Sequence, residues 1–394
     1  MLTLRNSLVL GLVIASACGG SNPPPEGGVT PQGGPGGQGG RRLTPGDSLR
    51  IRAAGNTVME NARPDAPGRA GLLVVANQQG ANATIINAAT MQTIATVPVG
   101  LGPHESAVSP DGRWAVVTNY GDRTVQGNTL SVIDLSAPTL VVTRTIDLGE
   151  YHRPHGAAFV QDGKKLLVTS ETSQRLLIVD FASGKVDTAL ATNGKGSHMV
   201  AVRRDGKKAW TANINDGNIT EFDIEARRTV RTLTAAPDDE GIATTPGGIL
   251  VWVGSNTAKT VTIIDTQQGK TVGTLSGFGG APYRIGISRT GRVAVVCDPT
   301  GNKVWMYEIG TNRQLGVIDL GKVEGIKSPT GGQPGQEGAG PEGVTFDPIS
   351  DFAYITLHGG NQVVAVDLNT YKVVGFGPSG TGPDGIAFSP LVRK

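Results

Sequence analysis

One pattern limits what this chain can fold into: a unit of about 42 residues that recurs from residue 71 to the end. Seven segments, GPHESAVSPDG, RPHGAAFVQDG, GSHMVAVRRDG, DDEGIATTPGG, APYRIGISRTG, GPEGVTFDPIS and GPDGIAFSP, share a turn, then alternating small and apolar residues, then a second turn. Their third residues serve as markers: His104, His155, His198, Glu240, Tyr283, Glu342 and Asp384. The markers are spaced by 51, 43, 42, 43, 59 and 42 residues, a constant period broken by two insertions. Fifteen residues after a marker a second apolar run ends, at Asn119, Ser170, Asn213, Ser255, Asp298 and Leu357. A third run closes on an acid, as at Asp134, Asp180, Asp265 and Asp367, and a fourth completes the unit. Four short alternating strands per repeat predict the blade of a β-propeller.

The ends of the repeat predict how the ring closes. The last marker, Asp384, has no second strand after it, and the first unit, LLVVANQQGANATIINAAT, lacks a first strand. Joining GIAFSP to residues 71–98 completes one blade. The expectation is an all-β, seven-bladed propeller of four-stranded antiparallel blades, closed by the C-terminal strand so that no sheet edge is left open. Composition agrees. Glycine supplies 58 of 394 residues, about twice average usage, as many tight turns require. Lys and Arg number 35 against 33 Asp and Glu, so the balance excludes a strongly basic nucleic-acid-binding protein, and no nucleic-acid partner is expected. Two cysteines are too few for a disulfide scaffold.

Residues 1–17 read as a secretory signal: Arg5, an apolar run from Leu8 to Ile14, then Ala15, Ser16 and Ala17. Small residues before Cys18 resemble the bacterial lipobox, which implies that Cys18 is lipidated and becomes the new first residue. Gly19 at the next position resembles the pattern of lipoproteins sorted to the outer membrane, so the expected location is the periplasmic face of that membrane. Residues 18–70 are then a tether, Gly- and Pro-rich at first and polar after; its first 24 or so residues reach about 25–30 Å. Cys297, with no intramolecular partner left, reads as a small core residue.

AVVTN, AWTAN and LVVAN with SPDGR-type turns resemble the YVTN repeat family of propellers, and VSPDGRWAVVTNYGD is similar to repeats of propeller-type lactonases. The Gly-His and Trp-Asp pairs of WD repeats are missing. The PHG and PDG openings resemble streptogramin-lyase propellers, which implies a His and Glu site with a divalent cation, although the Trp-Phe endings of those repeats are absent. Nitrous-oxide-reductase-type propellers use seven histidines, more than the five here.

In this topology the first strands are innermost and their starts ring one mouth of the axial channel. The markers then come together there, joined by Tyr120, Glu171 and His358 from the turns after second strands, and with His152 beside them. Three readings stand. The ring holds a metal such as zinc or copper through His104, His155 and His198, completed by Glu240, Glu342 or Asp384. It binds or transforms a small polar ligand, with His as base and Arg284 or Arg153 pairing an anion. Or it is a solvated polar mouth. The expected function is a binding or interaction module for a small polar ligand or protein partner, acting as a monomer, with a metal-assisted lactonase or lyase as the alternative. The insertion NYGDRTVQGNTL lengthens the second blade, and KVEGIKSPTGGQPGQEGAGP is expected to arch over the ring as a disordered surface loop. Lys164, Lys165, Arg203, Arg204, Lys207 and Lys208, with Arg227 and Arg228, read as charges that keep sheet edges soluble.

Overall fold

Seven four-stranded antiparallel sheets, each a hairpin-connected blade, carry nearly all the regular structure in a computed structural model that describes residues 70–328 and 338–393. The signal and tether readings, and the centre of the second insertion, lie outside those residues. Blade 1 takes Pro383–Ser389 as its innermost strand, pairing with Leu72–Asn77, so the ring closes as expected from the repeat. The innermost strands of blades 2 to 7 are Pro103–Val108, Pro154–Val160, Ser197–Val202, Asp239–Thr244, Arg284–Ile287 and Pro341–Phe346, and each contacts its neighbours around the circle.

The hydrophobic core is not central. It is divided into seven clusters, one between each pair of adjacent blades. Second strands are therefore covered on both faces: all six residues of Leu72–Asn77, Leu250–Ser255 and Val293–Asp298 are buried. Outer strands such as Val142–Asp147 alternate between water and a neighbour. Trp210, Trp252 and Tyr354, fully buried, each fill one of these seams. Cys297 lies in another and is wholly enclosed; burial raises its thiol pKa, so it is an inert packing residue. The recurring acid after the third strand caps a turn. Asp134, Asp265 and Asp367 accept the backbone N–H two residues on, and Asp180 that of Ser183. Asn119 and Asn213 clamp the second strand to the third through Thr129, Ser131, Asn218 and Thr220.

Six innermost strands share a device that positions the functional residues. In blade 2, Pro103 pairs with Asn119 but Ser106 pairs with Val117, so His104 and Glu105 together face the single residue Thr118. The same one-residue excess occurs in blades 1, 3, 4, 5 and 7. Such a bulge frees the marker from the ladder and re-aims it. The Thr hydroxyl of the second strand accepts the N–H this leaves over, from Glu105 (2.9 Å), Gly156 (2.8 Å) and Gly343 (2.7 Å). Glycine after the marker is needed for close approach: a Cβ on Gly343 would sit 2.2 Å from the Asp384 carbonyl oxygen. Blade 6 is the exception, with Arg284 pairing directly with Cys297.

Candidate functional site

The bulges bring three imidazoles into a column at the mouth. His104 and His155 stack with ring centroids 4.6 Å apart, and His155 and His198 approach to 3.7 Å. His104 is tied by its Nδ1 to Asp384 (2.6 Å), with the Gln78 amide 3.2 Å away. His198 Nε2 lies 3.2 Å from Glu240. His155 is buried, and among the described residues its Nδ1 has no hydrogen-bond partner. Burial, followed by the neighbouring imidazoles and Arg284, holds its pKa well below the usual histidine value, which favours the neutral ring.

Beneath the column, Arg284 crosses the channel. Its guanidinium lies 3.1 Å from Glu105, 2.9 Å from Glu240 and 3.5 Å from Asp384, groups from three other blades, and its side chain is 4 % exposed. Its carbon Cζ also sits 4.6 Å from the Tyr283 ring. Arg284 is thus taken up by internal carboxylates. Burial raises the Glu105 pKa, which Arg284 only partly offsets. For Asp384 burial acts in the same upward direction, but the His104 hydrogen bond and the Arg284 charge outweigh it and hold the group ionised.

On the opposite flank, Glu342 pairs with His358 at 3.0 Å. Burial alone would lower the His358 pKa; the hydrogen bond and charge of Glu342 reverse this and raise it to about 9. A raised value means that the folded state holds this proton more tightly. The stabilisation is complete below the free imidazole value of about 6.5 and fades as pH rises through about 9. Imidazole NMR titration from pH 5 to 10 is expected to give His358 a midpoint near 9, with His155 protonating only at lower pH than a free imidazole. A His358 midpoint at or below 6.5 would contradict the pairing.

Glu171 completes the arrangement. One ligand atom each from His155, Glu171 and His198 lies within 4.8 Å of the others. Tyr120 donates its hydroxyl to Glu171 at 3.1 Å and sets its ring edge-on to His104 at 4.3 Å. Tetrahedral zinc, with bonds of ~2.1 Å, separates its ligands by about 3.4 Å. The 4.8 Å spread is wider than this, so an ion would draw the three ligand atoms together. The orphaned Nδ1 of His155 and the donor set of two imidazoles and one carboxylate fit a divalent metal with an open position. The convergent group is thus His155, Glu171 and His198, picked out by the proximity of their ligand atoms; His198 also lies 3.2 Å from the Glu240 carboxylate and 3.4 Å from its carbonyl, as His104 is engaged by Asp384 and Glu342 by His358.

His152 stands outside the column, its backbone carbonyl accepting from Ser170. Glu105 escapes the marker pattern because it lies one residue later. The available signal was a charged residue where Gly156, Gly241, Gly343 and Gly385 stand in other blades. Gly385 in fact makes room for it, since a Cβ there would lie 2.3 Å from the Glu105 carboxylate. The second-blade insertion lengthens the blade as an elongated hairpin, Trp114–Gly121 and Gln126–Asp134.

Fold and mouth together define a seven-bladed propeller with a histidine and acid cluster at one end of its axis. No family profile matches the chain. Among curated proteins it is similar to Protein NirF of Pseudomonas aeruginosa, 23% identical over 189 residues, covering 45% of this chain and 46% of NirF. The chain thus spans about half the length of the curated relative it matches. Among solved structures it is similar to the Kuenenia stuttgartiensis hydrazine synthase, with a TM-score of 0.61 and 19% identity over 79% of this chain and 99% of that one. A functionally unknown protein from Desulfotomaculum acetoxidans gives a TM-score of 0.65 and 14% identity over 81% and 99%. At these identities the likeness is one of fold.

Proposed function

We propose that this chain is an exported, lipid-anchored propeller of the YVTN type, held by Cys18 and its tether at the periplasmic face of the outer membrane. It works there as a binding module whose mouth carries a divalent metal, zinc or copper. The observation that carries this reading is the convergence of His155, Glu171 and His198, together with a buried His155 nitrogen that has no hydrogen-bond partner among the described residues. His155, held neutral by burial, binds a metal without first losing a proton, which supports occupancy at neutral pH. The metal would offer its open position to a ligand atom, and Glu240 and Tyr120 would orient His198 and Glu171 from behind.

Metal analysis and calorimetric zinc titration test this. One equivalent of zinc is expected per chain, abolished by His155→Ala and weakened on the order of tenfold or more by Glu171→Gln, with His104→Gln close to wild type. Circular dichroism checks that the His155 variant folds, and the milder Glu171 change keeps the test informative if it does not. Substoichiometric metal in the wild type would end the reading. Three protein ligands with an open position also favour the second reading, a metal-assisted lactonase or lyase. Zinc-dependent turnover in a lactone-hydrolysis screen, lost in the same variants, would select catalysis over binding.

A further inference from the structure

We propose that the open cleft beside the metal group takes a small organic anion, with Arg153 holding its carboxylate and the metal receiving a donor atom from its other end. This rests on the binding-module reading and names the class of ligand. The cleft, about 780 Å³, is bordered by Gln78, Gln79, His104, Tyr120, Arg123 and Arg153. Its walls differ in chemistry, and that difference is the argument.

One wall is a prepared cation. Arg153 adopts φ 56°, a left-handed conformation that costs a non-glycine residue on the order of 1 kcal/mol or more. The surroundings enforce it: the Arg153 N–H donates to the Gly127 carbonyl at 2.7 Å, and its own carbonyl accepts the Glu171 N–H at 3.0 Å. The guanidinium lies on the face of Tyr120, 4.6 Å from the ring centre, and its Nη2 donates to the Asp122 carbonyl at 2.7 Å. Among the described residues Arg153 makes no ion pair, unlike Arg284 or Arg113. A fork fixed on an aromatic face without a carboxylate partner is suited to receive one.

Asp122, whose carboxylate feels the Arg153 charge, does not fill that role. Asp122 Oδ1 accepts from the Thr124 N–H (2.7 Å), the Thr124 hydroxyl (2.7 Å) and the Val125 N–H (2.8 Å), turning the carboxylate into its own hairpin tip. The carboxylates deeper in the mouth are also engaged, Asp384 by His104 and Glu342 by His358. Two amides, Gln78 against His104 and Gln79 3.1 Å from His358, add neutral polar groups along the rim. Tyr120 joins the two walls, since its face carries Arg153 while its hydroxyl holds Glu171. A short anion with a second donor atom can therefore meet the cation and the metal group at once.

Calorimetry on the full chain, with and without zinc, tests this using succinate, its neutral diamide and inorganic phosphate. Succinate is expected to bind the zinc-loaded protein at least tenfold more tightly than the diamide. Arg153→Gln should weaken succinate at least tenfold while zinc affinity stays within twofold, and Arg153→Lys should recover part of the loss. Equal binding of succinate and diamide, or an unchanged Arg153→Gln, overturns the proposal. So does zinc affinity falling in step with succinate, because Arg153 would then only position Glu171. Phosphate bound in preference to succinate overturns the organic class. The two readings fail separately: Arg153-dependent succinate binding without any zinc removes the metal alone, whereas stoichiometric zinc with no anion bound removes the cleft alone.

Discussion

A chain ending at residue 382 is expected to show no cooperative unfolding transition and to elute as aggregate. The missing strand pairs with Leu72–Asn77 and completes blade 1. Its Ile386 and Phe388 are buried in the seam between blades 7 and 1, and each contributes about 2–3 kcal/mol by removal of apolar surface from water. Lost with them are the ladder hydrogen bonds and the closure of the ring, which leaves Leu72–Asn77 as an open apolar edge. Against a typical net stability of about 5–15 kcal/mol, that sum removes most or all of the margin. Calorimetry and size-exclusion chromatography decide the matter. A truncated monomer melting within about 4 °C of the full chain would mean that blade 1 stands without its inner strand.

Arg284→Leu is expected to destabilise the protein by about 3–5 kcal/mol, as when one partner is removed from a buried ionic cluster. Leucine fills part of the volume but leaves Glu105, Glu240 and Asp384 facing one another across a closed space. The sign of the pH dependence follows. Without the cation the three carboxyls bind protons more tightly in the folded state, so the deficit should be larger at pH 8 than at pH 5. Neutralising them together, with Glu105→Gln, Glu240→Gln and Asp384→Asn, should recover much of the loss. Urea denaturation at the two pH values measures this, and a change under about 0.5 kcal/mol would show that the cluster carries little net energy.

The architecture was legible because it is written seven times. Small residues three positions after each marker, such as Ala107, Ala201 and Gly286, repeat the crowding at the axis, and the missing strands at the two ends of the repeat dictate closure. The mouth was legible only as a roster of residues. Periodicity says that the markers reach the same opening but not which of them meet. His155 and His198 converge with Glu171, a turn residue, because bulges aim the first two and a second-strand end supplies the third. The Arg284 cluster could be read only in part: Arg284, Glu240 and Asp384 belong to the predicted mouth, but that the arginine is spent on those carboxylates could not be seen, and Glu105 lies off the marker column.

The extra residue in six of the inner strands separates what folds the ring from what furnishes its opening. A side chain released from the ladder can be exchanged with little disturbance to the seams behind it. The opening is therefore a set of sockets whose chemistry evolution can rewrite one at a time, and the place where such exchange should be least tolerated is blade 6, where Arg284 stays in the ladder and clasps carboxylates from three other blades.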